Sequence, residues 1–251
     1  MQTIGIMGAM PEEIEAILPQ LRERSERTIG GRIYYTGEWH NKKLVLVFSR
    51  WGKVAAASTV TTLIHEFGIE ALIFTGVAGA IDSRLNPGDI VIAEKLVQHD
   101  LDARPLMERH EIPLLNKTWI ETDPFWREQL QLAVASVLEQ KNLRQLISEE
   151  DRNLFQLHSP RYYAGEIASG DQFFSLEEQK NALKARLPEV LCVEMEGAAV
   201  AQVCYEHDLP FIVLRTISDS ADERSVIDFP LFVGRVARIY SLAILNQLFS
   251  L

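Results

Sequence analysis

The chain has 251 residues, 35 of them acidic and 25 basic, for a formal net charge of −10. With 47% hydrophobic and 24% charged residues it reads as an ordinary globular chain, which excludes disordered and collagen-like classes. The acid excess disfavours nucleic acid and anionic membrane surfaces as partners, and no apolar run reaches the roughly 18 residues of a membrane span.

The first element is a short apolar strand over residues 4–7, closed by Gly8-Ala9-Met10-Pro11. Pro11 fits a first helical turn and Glu12, Glu13 and Glu15 favour its dipole, so a helix is expected over 11–24. Residues 33–39 and 43–49 read as a hairpin turning at His40-Asn41-Lys42. A helix rich in Ala and Val is expected over 52–67, a strand over 70–75 leading into Gly76-Val77-Ala78-Gly79-Ala80, and another strand over 90–97 after Pro87-Gly88-Asp89. Asp123 can cap a helix over 124–140. Residues 141–163 are polar and break the rhythm, as an insertion would. Ser175 and Glu178 suggest a capping box for a helix to about residue 186. A strand over 190–193, a helix over 196–206, a strand over 211–216 and an amphipathic helix over 228–250 complete the series.

Strands and helices alternate throughout, and several strands are apolar on both faces. The expected fold is therefore α/β, a single domain over 1–251 with a central sheet between helical layers. Cys192 and Cys204 lie in no CxxC pair and read as buried thiols in a reducing compartment, with no metal site. The start Met1-Gln2-Thr3-Ile4-Gly5 lacks the charged region of a signal peptide, so a cytoplasmic location is expected.

Ligand sites in α/β proteins gather where strands end. Five such ends stand out: Gly8-Ala9-Met10-Pro11-Glu12-Glu13, Gly76-Val77-Ala78-Gly79, Gly170-Asp171-Gln172-Phe173-Phe174, Glu194-Met195-Glu196-Gly197 and Ile217-Ser218-Asp219-Ser220-Ala221-Asp222. Each has a plainer reading alone, as helix-start acids, tight turns or core aromatics. Together they can build a pocket. Paired carboxyl groups can act as general acid and base on a glycosidic bond, an aromatic ring can hold a flat base, and a further carboxylate can accept two hydrogen bonds from a sugar diol.

In this order the motifs resemble the 5′-methylthioadenosine/S-adenosylhomocysteine nucleosidases of the purine nucleoside phosphorylase-like superfamily. The matching segments include Gly52-Lys53-Val54-Ala55-Ala56, Thr75-Gly76-x-Ala78-Gly79, Ser169-Gly170-Asp171-x-Phe173, Val193-Glu194-Met195-Glu196 and Arg215-x-Ile217-Ser218-Asp219-x-Ala221-Asp222. The resemblance implies a three-layer αβα sandwich with a twisted mixed sheet. It implies hydrolysis of the adenine–ribose bond without metal or organic cofactor, on a small-molecule nucleoside, by a homodimer. Glu13 matches the water-activating base, with Glu12 the alternative if the register slips. Asp219 matches the acid that protonates the purine N7, supported by Ser218. Glu196 would accept the ribose hydroxyls and Met195 wall the sugar. Phe173 would stack on adenine, the Phe174 backbone would read its edge, and Phe229 would wall the 5′-alkylthio group. Met10, Trp51, Val77, Ala78, Gly79, Glu194 and Arg215 complete the expected binding set, and Leu106 to Pro113 is the segment expected to close a neighbouring chain's 5′ pocket.

Val77 stands where related proteins often carry a hydroxyl residue that helps bind phosphate, which weighs against phosphorolysis. Arg50-Trp51 replaces smaller residues; Trp51 can reshape the 5′ pocket and Arg50 is either an anion ligand or a surface cation. A phosphate-using phosphorylase and a non-catalytic nucleoside sensor are the competing functions. A sensor has no need of both an acid and a base.

Overall fold

The computed structural model describes residues 2–157, 159–221 and 225–251. Its strands are β1 (Thr3–Gly8), β2 (Arg22–Ile29), β3 (Arg32–Trp39), β4 (Lys42–Phe48), β5 (Ala71–Phe74), β6 (Val77–Ala80), β7 (Ile90–Gln98), β8 (Ile120–Glu121), β9 (Tyr162–Ser169), β10 (Val190–Glu194) and β11 (Phe211–Asp219). They form one mixed sheet in the order β2-β3-β4-β1-β5-β11-β6-β10-β9-β7-β8. β11 runs parallel to β5 at Phe211, then parallel to β6 from Thr216, while its middle pairs antiparallel with β7 at Leu214. The half of the sheet beyond β11 therefore curls back onto it.

Successive side chains of a strand face opposite ways, so a strand apolar at every position needs cover on both sides. Ile4 and Ile6 of β1, with Leu44, Leu46, Ile73 and Ile212, pack beneath helices Pro124–Leu138 and Arg238–Ser250. Met7 of the same strand, with Val45, Val47, Phe74 and Val213, packs against helices Lys53–Phe67 and Gly197–Glu206. These are the three layers read from the sequence. Asp123 caps its helix as expected, accepting the Trp126 N–H at 2.9 Å. The hairpin turns at His40-Asn41, both at positive φ. Cys192 and Cys204 are free and buried, and burial raises both thiol pKa values.

Several expected boundaries move. The helix expected over 11–24 is only Glu12–Glu15 with a 3-10 turn at Leu18–Gln20. Pro19 removes an N–H donor there, and Arg22–Ile29 instead pairs with β3 as an edge strand. β2 is almost wholly exposed, so its sequence RERSERTI has no apolar alternation to betray it. Val77–Ala80, expected as a loop because of its glycine neighbours, is strand β6, and β11 runs on to Asp219. Gln179, not Glu178, reaches back to the Ser175 and Leu176 N–H groups at the start of helix Glu177–Arg186. The closing helix begins earlier, as Ser225–Phe232, and reaches Arg238–Ser250 through a π-helical turn at Val233–Ala237. Residues 141–163 hold the short helix Glu149–Leu154 and most of Gln140–Leu146, and Leu143, Ile147, Phe155 and Leu157 nearby enter the core. No helix among the described residues is long and apolar enough to cross a membrane.

Candidate active site

The ends of β1, β9, β10 and β11 converge with β6 on one cavity of about 620 Å³, part of it open to solvent. Ala9, Met10 and Glu13 enter from β1, Val77, Ala78 and Gly79 from β6, and Gln172, Phe173 and Phe174 from the loop after β9. Val193, Glu194, Met195 and Glu196 enter from β10, Ser218 and Asp219 from β11, and Trp51 and Phe229 stand at the rim.

Glu13 is 1% exposed, whereas Glu12 points to solvent, so the register is fixed on Glu13. One carboxylate oxygen, Oε2, accepts the N–H groups of Ala9 (2.5 Å) and Met10 (3.0 Å). A Cβ at Gly8 would stand 2.9 Å from Oε2 and one at Gly76 would stand 2.9 Å from Oε1, so both neighbours must be glycine for the carboxylate to sit here. Burial raises the Glu13 pKa, against the lowering effect of Arg215 and of the Met10, Ala9 and Val77 N–H groups, and leaves it at about 7. Glu13 can therefore exchange a proton near neutrality, as a general base must.

Glu196 is also buried, and its Oε1 accepts the Gly52 N–H at 2.8 Å. Burial first and the Glu194 charge second raise its pKa. Asp219 Oδ2 accepts the Ser218 hydroxyl at 2.6 Å, and Oδ1 accepts the Ala221 N–H at 2.8 Å. Phe173 meets Phe229 edge to face with centroids 5.8 Å apart, forming an apolar gate with half-exposed Trp51. Phe174 is buried, its ring edge against His99.

Glu194 borders the cavity, but its carboxylate is occupied. It accepts the Ser169 hydroxyl, the N–H groups of Glu196 and Gly197, and Arg215 at 2.7 Å. Arg215 is 1% exposed and stands behind the wall, giving its guanidinium to Glu194 and to the carbonyls of Phe74 and Leu214, with Phe74's ring beneath it. Arg50 lies outside the cavity and donates to the Gly31 carbonyl at 2.6 Å. Asp222 lies outside the described residues. Among the described residues no group of three or more His, Cys, Asp or Glu could hold a metal ion.

Residues 3–250 match the family model described as the phosphorylase superfamily. A Staphylococcus epidermidis protein named 5′-methylthioadenosine/S-adenosylhomocysteine nucleosidase is 37% identical over 235 residues, 93% of each chain. The chain belongs to this nucleosidase family within the phosphorylase superfamily. A Helicobacter pylori aminodeoxyfutalosine nucleosidase is 35% identical over 238 residues, 94% of each chain. Among solved structures, the methylthioadenosine/S-adenosylhomocysteine nucleosidase of S. pneumoniae with a transition-state inhibitor, MT-ImmA, aligns with a TM-score of 0.84 at 34% identity, covering 98% of both chains. The mixed α/β architecture is the one shared by these nucleoside phosphorylase- and hydrolase-like proteins.

Three features of the site escape a reading of the sequence alone. Ala9, Gln172 and Val193 line the cavity from within motifs whose neighbours were singled out. Gly52 supplies an N–H to Glu196, a contact spanning 144 residues. The Ser169–Glu194–Arg215 network joins residues far apart in the chain, and a Ser or an Arg in a strand carries no local sign of such a partner. This network has a measurable cost of removal. Arg215→Met leaves the Glu194 carboxylate buried without its cation and is expected to destabilise the fold by about 3–5 kcal/mol. The check is urea unfolding: a midpoint equal to the parent's contradicts the assignment.

Proposed function

We propose that the chain hydrolyses the adenine–ribose N-glycosidic bond of 5′-methylthioadenosine, S-adenosylhomocysteine or both. The observation that carries hydrolysis is the charge of the cavity. Glu13, Glu194, Glu196 and Asp219 border it, and none of its described lining residues is Lys, Arg or His. A phosphate nucleophile needs cationic donors, and carboxylates repel it. Water needs only a base, while carboxylates favour the cationic sugar of an oxocarbenium-like transition state.

In this reading Glu13 takes a proton from water as its oxygen bonds to the sugar C1′. The C1′–N9 electron pair leaves with the purine, and Asp219, oriented by Ser218 and the Ala221 N–H, delivers a proton to N7. Glu196 accepts the ribose hydroxyls and Met195 walls the sugar. Phe173 stacks on the base, the Phe174 backbone reads its edge, and Phe229 and Trp51 enclose the 5′ substituent. Val77, Ala78, Gly79 and Met10 shape the remaining wall, and Arg215 acts from behind it through Glu194. Gly79 supports this arrangement, since a Cβ there would stand 3.1 Å from Asp219 Oδ1.

The working form we propose is a cytoplasmic homodimer. Val54, Leu106 and Leu114 expose large apolar side chains, which supports burial against a second copy. Leu106 falls in the segment proposed to close the partner's 5′ pocket. The two unpaired thiols support a reducing compartment.

The test is incubation with methylthioadenosine in phosphate-free buffer. Free adenine and methylthioribose are expected; an unchanged nucleoside overturns the reading.

A further inference from the structure

Gly52 and Lys53 are consecutive, yet their N–H groups serve two different carboxylates. Gly52 donates to Glu196 inside the cavity, and Lys53 donates to Asp171 Oδ1 at 2.8 Å outside it. Asp171 directly precedes Gln172, where the cavity wall from the β9 loop begins. Its own N–H donates to Asp100 Oδ2 at 3.0 Å, and Asp100 Oδ1 receives the Lys53 ammonium at 2.7 Å. The ring Lys53–Asp100–Asp171 is thus closed by three hydrogen bonds. The ammonium also reaches Gln98 Oε1 at 3.1 Å, and the Gln98 amide donates to Gln202 on helix Gly197–Glu206.

None of Lys53, Asp100 and Asp171 is among the residues lining the cavity. Gly52 makes the junction compact: its φ is +92°, and a Cβ there would stand 3.0 Å from Asp171 Oδ1. Two pieces of the site hang on this clasp. The wall at residues 172–174 continues from the Asp171 backbone, and Glu196 takes its hydrogen bond from the residue beside Lys53.

Resting on the function proposed above, we infer that Asp171, held by Lys53 and Asp100, is a positioning residue. It sets the spacing between the wall that receives the base and the Gly52–Glu196 pair that receives the sugar. It touches no substrate. It matters for a ligand gripped at both ends and little for one gripped at the base alone.

The experiment compares the parent, Asp171→Ala and Asp171→Asn, with methylthioadenosine as substrate and adenine as inhibitor. Asp171→Ala removes a charge-assisted hydrogen bond, and KM is expected to rise about tenfold while kcat changes less than about threefold. The inhibition constant of adenine stays within about twofold, because adenine does not span the two ends. Asp171→Asn keeps an oxygen for the Lys53 N–H and brings KM back to within about threefold of the parent. The acid limb of the pH profile stays in place in both variants, since Glu13 is untouched. An unchanged KM in Asp171→Ala overturns the inference, and so does an equal weakening of adenine and nucleoside, which would report a collapsed loop. A parent that releases no adenine sinks the proposed function instead. The clasp is then read by calorimetry with methylthioadenosine, where binding to Asp171→Ala is still expected to be about tenfold weaker and equal binding overturns it.

Discussion

Glu13→Gln is expected to lower kcat by about 10³-fold while nucleoside binding stays close to the parent's. The substitution keeps the shape of the side chain and an oxygen for the Ala9 and Met10 N–H groups. It removes the one property a base needs, a lone pair that can keep a proton. The same residue fixes the pH dependence. Glu13 acts only when ionised, and its pKa is raised to about 7, chiefly by burial. Below that value the protonated form dominates, so the kcat/KM of the parent should fall about tenfold per pH unit, and above it the rate should level off. The residual activity of Glu13→Gln should lack this limb. An acid limb that survives unchanged in the variant assigns the titration to another group and removes Glu13 from the role.

Asp219→Asn is expected to cost about 10²-fold or more in kcat on methylthioadenosine. The amide oxygen can still accept the Ala221 N–H, so the end of β11 keeps its shape. What is lost is delivery of a proton to the leaving purine. The loss should depend on the leaving group. A thioribosyl substrate that expels p-nitrophenolate needs no proton at departure, and on it Asp219→Asn should retain most of the parent's rate while Glu13→Gln stays impaired. Equal losses on both substrates would mean that Asp219 holds the architecture rather than the proton.

Much of this site is legible in the sequence because it sits where short apolar strands stop. A strand such as Ile4-Gly5-Ile6-Met7 announces itself by being apolar on both faces, and the polar residues that follow it are then conspicuous. Glu13 and Asp219 were picked out in this way. The ambiguity between Glu12 and Glu13 needed the structure, since adjacent acids in one turn differ only in which face is buried. β2 was illegible for the opposite reason: as an exposed edge strand it buries almost nothing, and no pattern marks it. The loop expected at Val77–Ala80 misled because its glycine neighbours signal turns, whereas here Gly76 leaves room for Glu13 and Gly79 leaves room for Asp219. Arg215 shows the deepest limit. Its position in the motif was plain, but its burial behind Glu194 is set by pairing across 21 residues, a tertiary fact without a local signature.

The cavity's acidic lining makes a chemical commitment that one product analysis can test. The purified chain is given methylthioadenosine together with excess inorganic phosphate, and the sugar product is identified. Free methylthioribose, formed at the same rate with or without phosphate, is the expected result. Methylthioribose 1-phosphate, formed only when phosphate is present, would contradict the account at its centre.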